Sequence, residues 1–219
     1  APLAATSTLY LDADGQFDTR RSQDGPLAAA IPGQPAALVH LARHYGRLPL
    51  ATSLEPAIRL AHEGFTVGPR YALMAGYRLP ALLASPEARR TFLAAGIAPL
   101  PGWTLRQPEL ADTLQSLVDH GHEGFYGGAI AQRLVTSVRA AGGIWTQEDL
   151  ASYQVIERKP ITSIYRGMRV TSASPPSSGG VVLTEALNIL AGVDLPAMPP
   201  ATRIHWITEA MRRAYADRA

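Results

Sequence analysis

Apolar positions in this chain recur mainly at spacings of three and four, and they alternate only in short runs toward the two ends. Residues 7–12 read as a strand turned by Asp14-Gly15, and residues 26–31 read as a second extended run closed by Pro32-Gly33. The period then lengthens. Over residues 35–45, Leu38, Leu41, Ala42 and Tyr45 share one helical face, with Gly46 as the stop. Thr52-Ser53-Leu54-Glu55 has the form of a capping box and predicts a helix start, with Leu54, Ile58 and Ala61 on one side and Gly64 at the end. A further helix is expected over 68–79. Ser85-Pro86-Glu87 opens another that runs toward Gly96. Residues 108–120 form a helix with Leu110, Leu114, Leu117 and Val118 as its stripe, stopped by Gly121. Residues 125–140 read as one longer helix, and Thr146-Gln147-Glu148-Asp149 starts a short one.

Near residue 153 the period returns to two. Residues 153–157, 161–165 and 168–172 are strand-like, and Arg166-Gly167 is a two-residue turn that pairs the last two antiparallel. Two helices follow, the second over 202–217 with Ile204, Ile207, Met211 and Tyr215 on one side. The order is strands, many helices, strands, helices, without regular alternation. That disfavours a parallel doubly wound sheet and fits an α+β fold. The expected organisation is one incomplete domain over 1–219. Residues 34–152 form a mainly helical insertion between portions of one sheet, and residues 153–219 supply strands followed by two helices. The chain lacks an initiator Met and stops inside a helical pattern, so it is expected to be an internal piece of a longer polypeptide.

Composition narrows the function classes. Of 219 residues, 47% are apolar and 17% charged, enough to bury a core and too little charge for wholesale disorder. The formal net charge is +2, Lys159 is the one lysine, and no run of five like charges occurs. A nucleic-acid or anionic-membrane surface therefore has little support. The absence of cysteine excludes disulfides, thiolate metal sites and a cysteine nucleophile within these residues. No apolar run is long enough to span a membrane.

Candidate chemistry is sparse. His40 and His44 stand four apart on a predicted helix, but no acidic or histidine partner follows in sequence, so they read as a solvated face and no metal is expected. His62, His120 and His122 lie near helix ends, where a polar or cationic group complements the terminal carbonyls. The most informative stretch is Ser174-Pro175-Pro176-Ser177-Ser178-Gly179-Gly180, set between a strand-like run and an apolar helix-like run. The prolines fix φ, the glycines free the backbone, and the two hydroxyls are placed to cap the helix start. Ser177, Ser178, Gly179 and Gly180 are therefore either a capped helix start packed on a strand, or a wall of backbone N–H groups that favours an anion. Neither reading names a reaction, and G-x-S-x-G is absent.

Taken together, several segments resemble one family. Ile31-Pro32-Gly33 leading into Leu41-Ala42-Arg43-His44-Tyr45-Gly46-Arg47-Leu48-Pro49 is similar to the large subunit of gamma-glutamyltranspeptidases. So are Glu55-Pro56-Ala57-Ile58-Arg59-Leu60-Ala61-His62-Glu63-Gly64-Phe65, Gln107-Pro108-Glu109-Leu110, Gly124-Phe125-Tyr126-Gly127-Gly128 and Tyr165-Arg166-Gly167. The Pro-Pro-Ser-Ser-Gly-Gly junction and Glu209-Ala210-Met211-Arg212-Arg213-Ala214-Tyr215 close the series, in collinear order over the whole chain.

The resemblance implies the helix-rich large-subunit portion of an αββα N-terminal-nucleophile hydrolase sandwich, with strands near both ends of the segment. It implies a precursor that cuts itself, and a threonine freed at the new N-terminus that uses its own α-amine as base. The implied reaction is cleavage of gamma-glutamyl amides such as glutathione, with the acyl group passed to water, an amino acid or a peptide. The alternatives are a related cephalosporin or glutaryl acylase, or a non-catalytic helical interaction domain. The implied partners are a small subunit of the same precursor and a small-molecule gamma-glutamyl substrate, with no cofactor. The implied location is periplasmic or secreted. The family's Thr-Thr-His-like nucleophile motif does not occur among these residues, and its substrate-carboxylate arginine would precede Ala1 by three positions. No catalytic residue is therefore expected in this chain. Ser177, Ser178, Gly179 and Gly180 remain as site support. Apolar surface that the rest of the protein would cover should be exposed.

Overall fold

A computed structural model describes residues 1–218. Among them are twelve helices and four short strands: α1 (Thr19–Gln23), α2 (Gln34–His44), α3 (Leu50–Glu63), β1 (Phe65–Thr66), α4 (Pro69–Tyr77), α5 (Leu79–Ala84), α6 (Pro86–Phe92), β2 (Thr104–Leu105), α7 (Pro108–His120), α8 (Glu123–Tyr126), α9 (Gly128–Ala140), α10 (Gln147–Ala151), β3 (Ile161–Tyr165), β4 (Met168–Ser172), α11 (Gly179–Leu190) and α12 (Pro200–Arg218). The chain divides into two compact units, Ala1–Val155 and Ile156–Ala219, and each closes around its own core.

The first unit is helical. Its core gathers Ile31, Val39, Leu54, Leu117, Phe125, Tyr126, Val135, Trp145 and Leu150. Tyr126 is 1% exposed and lies at the centre. Its ring stacks on His122 (centroids 4.3 Å apart) and on Tyr153 (5.3 Å), and meets Phe125 edge-on at 5.0 Å. Its hydroxyl donates to the Pro32 carbonyl at 2.5 Å and accepts the Ala36 N–H at 3.2 Å. Nearby, Trp145 Nε1 donates to the Ala29 carbonyl at 3.0 Å, so the extended segment before α2 is pinned at both ends by aromatic donors. A Cβ on Gly33 would stand 2.1 Å from the Tyr153 hydroxyl oxygen, so any larger residue there must displace that ring.

Helix boundaries follow local chemistry. Ser85 caps α6 by accepting the Ala88 N–H, with Pro86 at the first helical position. Thr146 and Asp149 form a reciprocal capping box on α10. Gly121 ends α7 at φ +61, a conformation that disfavours a side chain.

The second unit is a β-hairpin with two helices. β3 and β4 pair antiparallel with Ile161 opposite Ser172 and Tyr165 opposite Met168. Arg166 (φ +49) and Gly167 (φ +80) make the turn. Both residues have positive φ, the requirement of a twist-matched two-residue hairpin turn.

Five expectations are corrected. Residues 7–12 form turns with one isolated bridge, Leu11 to Phe17, because local bonds such as Leu9 N–H to Thr6 O and the Asp12 carboxylate to the N–H groups of Asp14 and Gln16 occupy the backbone. The Thr52–Glu55 box does not form. α3 starts earlier, after Pro49, and Ser53 Oγ bonds back to the Pro49 carbonyl. The single helix over 125–140 is broken into α8 and α9, with Gly127 extended and Gly128 at φ +58. Residues 153–157 are not a strand; the Tyr153 carbonyl accepts from His122 Nε2 at 3.0 Å. On α12 the buried face is Ala210 and Ala214, and Ile204, Ile207, Met211 and Tyr215 are exposed.

Tyr126→Phe keeps the ring stack and strands the Pro32 carbonyl and the Ala36 N–H. It should lower unfolding free energy by about 1–3 kcal/mol, the usual penalty for unpaired buried polar groups. Urea unfolding of the full-length variant checks this, and an unchanged midpoint would contradict it.

Candidate functional site

The Ser174–Gly180 junction connects β4 to α11 inside the second unit. The Ser177 N–H closes a turn onto the Ser174 carbonyl at 3.2 Å, and the Pro175-Pro176 peptide is cis. Ser178 takes up the N-cap position with helical backbone angles (φ −79, ψ −22), and the first helical bond runs from the Val182 N–H to its carbonyl at 3.1 Å. Its hydroxyl makes no capping bond, so the expectation that the serines cap the helix is not met. The reason is geometric: a capping side chain needs an extended N-cap backbone, and Ser178 is already helical.

The two glycines differ in their surroundings. Gly180 is buried, and a Cβ on it would stand 2.2 Å from the Ala173 carbonyl oxygen and 3.2 Å from Ser172 Cβ. This glycine lets the first turn of α11 lie directly on the end of β4. Gly179 is exposed, and its nearest neighbour to such a Cβ would be Ser177 Oγ at 3.9 Å. Ser177 is exposed and Ser178 half-buried. Among the described residues, neither hydroxyl is hydrogen-bonded to a base. The junction thus offers a side-chain-free helix N-terminus, which favours a negative group, and no activated nucleophile.

The second unit also pairs two acids that sequence reading did not single out. Glu185, half-buried on α11, lies beside Asp217 of α12. Burial, then the interaction with the Asp217 carboxylate, pushes the Glu185 carboxyl above the usual glutamate range. The positions are 32 apart in sequence, so no local pattern announces the pair. α12 further contributes to an open groove of about 610 Å³ lined by Ile189, His205, Trp206, Glu209, Ala210 and Arg213.

Histidines serve structural ends. His40 stacks on His44 with centroids 4.2 Å apart, and a His44 ring nitrogen bonds the His40 carbonyl. His62 and His120 lie in the last turns of α3 and α7, while His122 stacks on Tyr126. Among the described residues no cluster of three or more His, Cys, Asp or Glu side chains could hold a metal ion. No helix there is long and apolar enough to cross a membrane.

A family model for gamma-glutamyltranspeptidase matches residues 1–219. The chain is 39% identical over 221 residues to a glutathione hydrolase proenzyme of Pseudomonas sp. (strain A14), covering 100% of this chain and 38% of that protein. It is 36% identical over 227 residues to the acylase ACY 1 proenzyme of Pseudomonas sp. (strain SE83), covering 100% of this chain and 41% of that protein. Among solved structures, the gamma-glutamyltranspeptidase of Helicobacter pylori superimposes with a TM-score of 0.96 at 38% identity, over 100% of this chain and 63% of that chain. The chain therefore spans about two fifths of the length of these curated relatives.

Two predictions follow from this geometry. Gly180→Ala should destabilise the second unit, because the added methyl must displace the Ala173 carbonyl, and Gly179→Ala should be tolerated; thermal melts that rank the two equally would contradict the packing. Glu185→Gln removes a carboxylate whose ionisation the fold disfavours. With the folded pKa raised, the penalty is present at neutral pH and fades as pH falls below that raised value. The variant should therefore melt above wild type at pH 7, and the two should converge on acidification. A gap that widens toward low pH would contradict the pairing.

Proposed function

The chain belongs to the gamma-glutamyltranspeptidase family, and on that premise we propose that the whole protein is a gamma-glutamyl transferase/hydrolase to which these residues contribute large-subunit scaffold. The observation that supports this most is the match of all 219 residues at a TM-score of 0.96 to a gamma-glutamyltranspeptidase. The helix-rich α+β arrangement is that of an N-terminal-nucleophile hydrolase.

In the proposed reaction, a threonine hydroxyl of the small subunit attacks the γ-carbonyl carbon of a gamma-glutamyl amide such as glutathione. Its proton passes through the threonine's own α-amine to the departing amine as the C–N bond breaks. The resulting ester is then opened by water or by the amine of an amino acid or peptide, which restores the threonine. No step draws on a metal or organic cofactor. The proenzyme names of the relatives support a precursor that supplies the small subunit as this chain's partner. A periplasmic or secreted location belongs to the same proposal and is checked by fractionation.

Ser177, Ser178, Gly179 and Gly180 are assigned a supporting role, framing the site from the α11 N-terminus rather than entering the chemistry. The exposed face of α12, with Ile204, Ile207, Met211 and Tyr215, is assigned to contact with the remainder of the polypeptide.

A second reading has a specific observation in its favour. The ACY 1 relative is nearly as similar as the glutathione hydrolase, so an acylase acting on cephalosporin or glutaryl amides is the competing assignment. The experiment compares the full-length protein and the 219-residue chain on L-γ-glutamyl-p-nitroanilide and on a glutaryl amide. Full-length turnover of the gamma-glutamyl substrate, with none from the 219-residue chain, is expected. Turnover of the glutaryl amide alone selects the acylase. Activity of the isolated chain, or of neither protein, overturns the scaffold reading.

A further inference from the structure

We infer that Asp149 is a latch for the N-terminal segment: its carboxylate fixes the path of residues 1–5 across the first unit. This inference is independent of the reaction assigned above.

Asp149 is 4% exposed. Its Oδ2 accepts the Thr146 N–H at 2.7 Å and the Thr146 hydroxyl at 2.8 Å, and the Thr146 hydroxyl oxygen in turn accepts the Asp149 N–H at 3.1 Å. These bonds complete the cap of α10 and use a single carboxylate oxygen. The other oxygen, Oδ1, accepts the Leu3 N–H at 2.5 Å, a bond that joins residues 146 positions apart.

The chemistry of the donors makes the residue type specific. Every partner of the carboxylate is a donor: two backbone N–H groups and one hydroxyl. Only an ionised carboxylate presents acceptors on both oxygens; an amide has one acceptor and would turn a donor toward either Leu3 or Thr146. Burial pushes the carboxyl up, but the Leu3 N–H and the Thr146 donors outweigh it and hold it below the usual aspartate range. A cap alone does not require aspartate, since glutamate or glutamine commonly fills this place in a capping box. The shorter side chain leaves the second oxygen aimed at the chain's beginning.

The Leu3 side chain is 67% exposed. Pro2 is buried but carries no N–H, so the Leu3 amide is the first side-chain-anchored donor of the segment. The Ala5 N–H bonds the Pro2 carbonyl at 3.0 Å, which folds the segment onto itself immediately after the anchor. In a longer precursor, anything encoded before Ala1 would set out from this point.

The test is hydrogen exchange read by mass spectrometry on the full-length protein, comparing wild type with Asp149→Asn, Asp149→Glu and Thr146→Ala. Asp149→Asn should speed exchange in the peptide covering Leu3 by roughly tenfold, the scale of a local opening freed by one lost anchor. Asp149→Glu keeps a capping acceptor but displaces the oxygen that meets Leu3, and should release the segment as well. Thr146→Ala frays α10 and should leave the segment protected. Peptides from α7 report global folding, and should Asp149→Asn unfold, Asp149→Glu decides alone. Unchanged exchange at Leu3 in the folded aspartate variants overturns the latch. So does release by Thr146→Ala as large as that by Asp149→Asn, because the hold would then belong to the cap and not to the carboxylate.

Discussion

The buried hydroxyl and ring of Tyr126 join segments that lie far apart in sequence. Its oxygen accepts the Ala36 N–H and its O–H donates to the Pro32 carbonyl, while its ring lies between those of His122 and Tyr153. An unpaired carbonyl or N–H at that depth would cost as much as several good apolar contacts gain. The tyrosine therefore sets the entry to α2, the seat of α8 and the exit from α10 at once. Glycine at 33 leaves room for the Tyr153 ring, and the His122 ring is held on Tyr126 with its Nε2 bonded to the Tyr153 carbonyl. Packing of Leu54, Leu117 and Val135 fills in around this polar centre.

The second unit is built on a different constraint, close approach of backbone to backbone. Gly180 brings the first turn of α11 against the Ala173 carbonyl, and Ala210 and Ala214 lie buried on α12 in the core shared with α11. Small residues at both contacts bring the layers together. The larger apolar residues of α12 are left on the outside. That arrangement is unusual for a helix whose own core is complete, and it agrees with a chain that spans about two fifths of its relatives' length.

What was legible in the sequence was local. The hairpin register could be read because Arg166-Gly167 admits only a tight turn between two alternating runs, and α7 because Pro108 and Gly121 mark its ends. The α10 cap could be read from Thr146 and Asp149. Misreadings arose where a second local signal competed or where a partner was needed. Pro49 starts α3 ahead of the Thr52 pattern, and Gly128 interrupts a helix that periodicity alone would continue. Residues 7–12 have strand composition, yet turns and the Asp12 side chain hold their backbone instead. Contacts between distant residues, such as Leu3 with Asp149 and Glu185 with Asp217, leave no trace in spacing. At the junction, Gly180 was legible as a point of close approach, whereas Gly179 is exposed with open space around it. The serines were misread as caps, because the backbone angles of Ser178 decide capping and sequence does not give them.

These features are two internally ordered units, a helix N-terminus whose serine hydroxyls meet no base among the described residues, and an exposed apolar face on α12. The proposed function puts the reactive threonine in another part of the same precursor. The most direct measurement is intact-mass analysis of the purified full-length protein, with N-terminal sequencing of the smaller product. Two fragments, the smaller beginning with threonine, are the predicted result. A single uncut chain that remains active, or a smaller fragment that begins with any other residue, would contradict it.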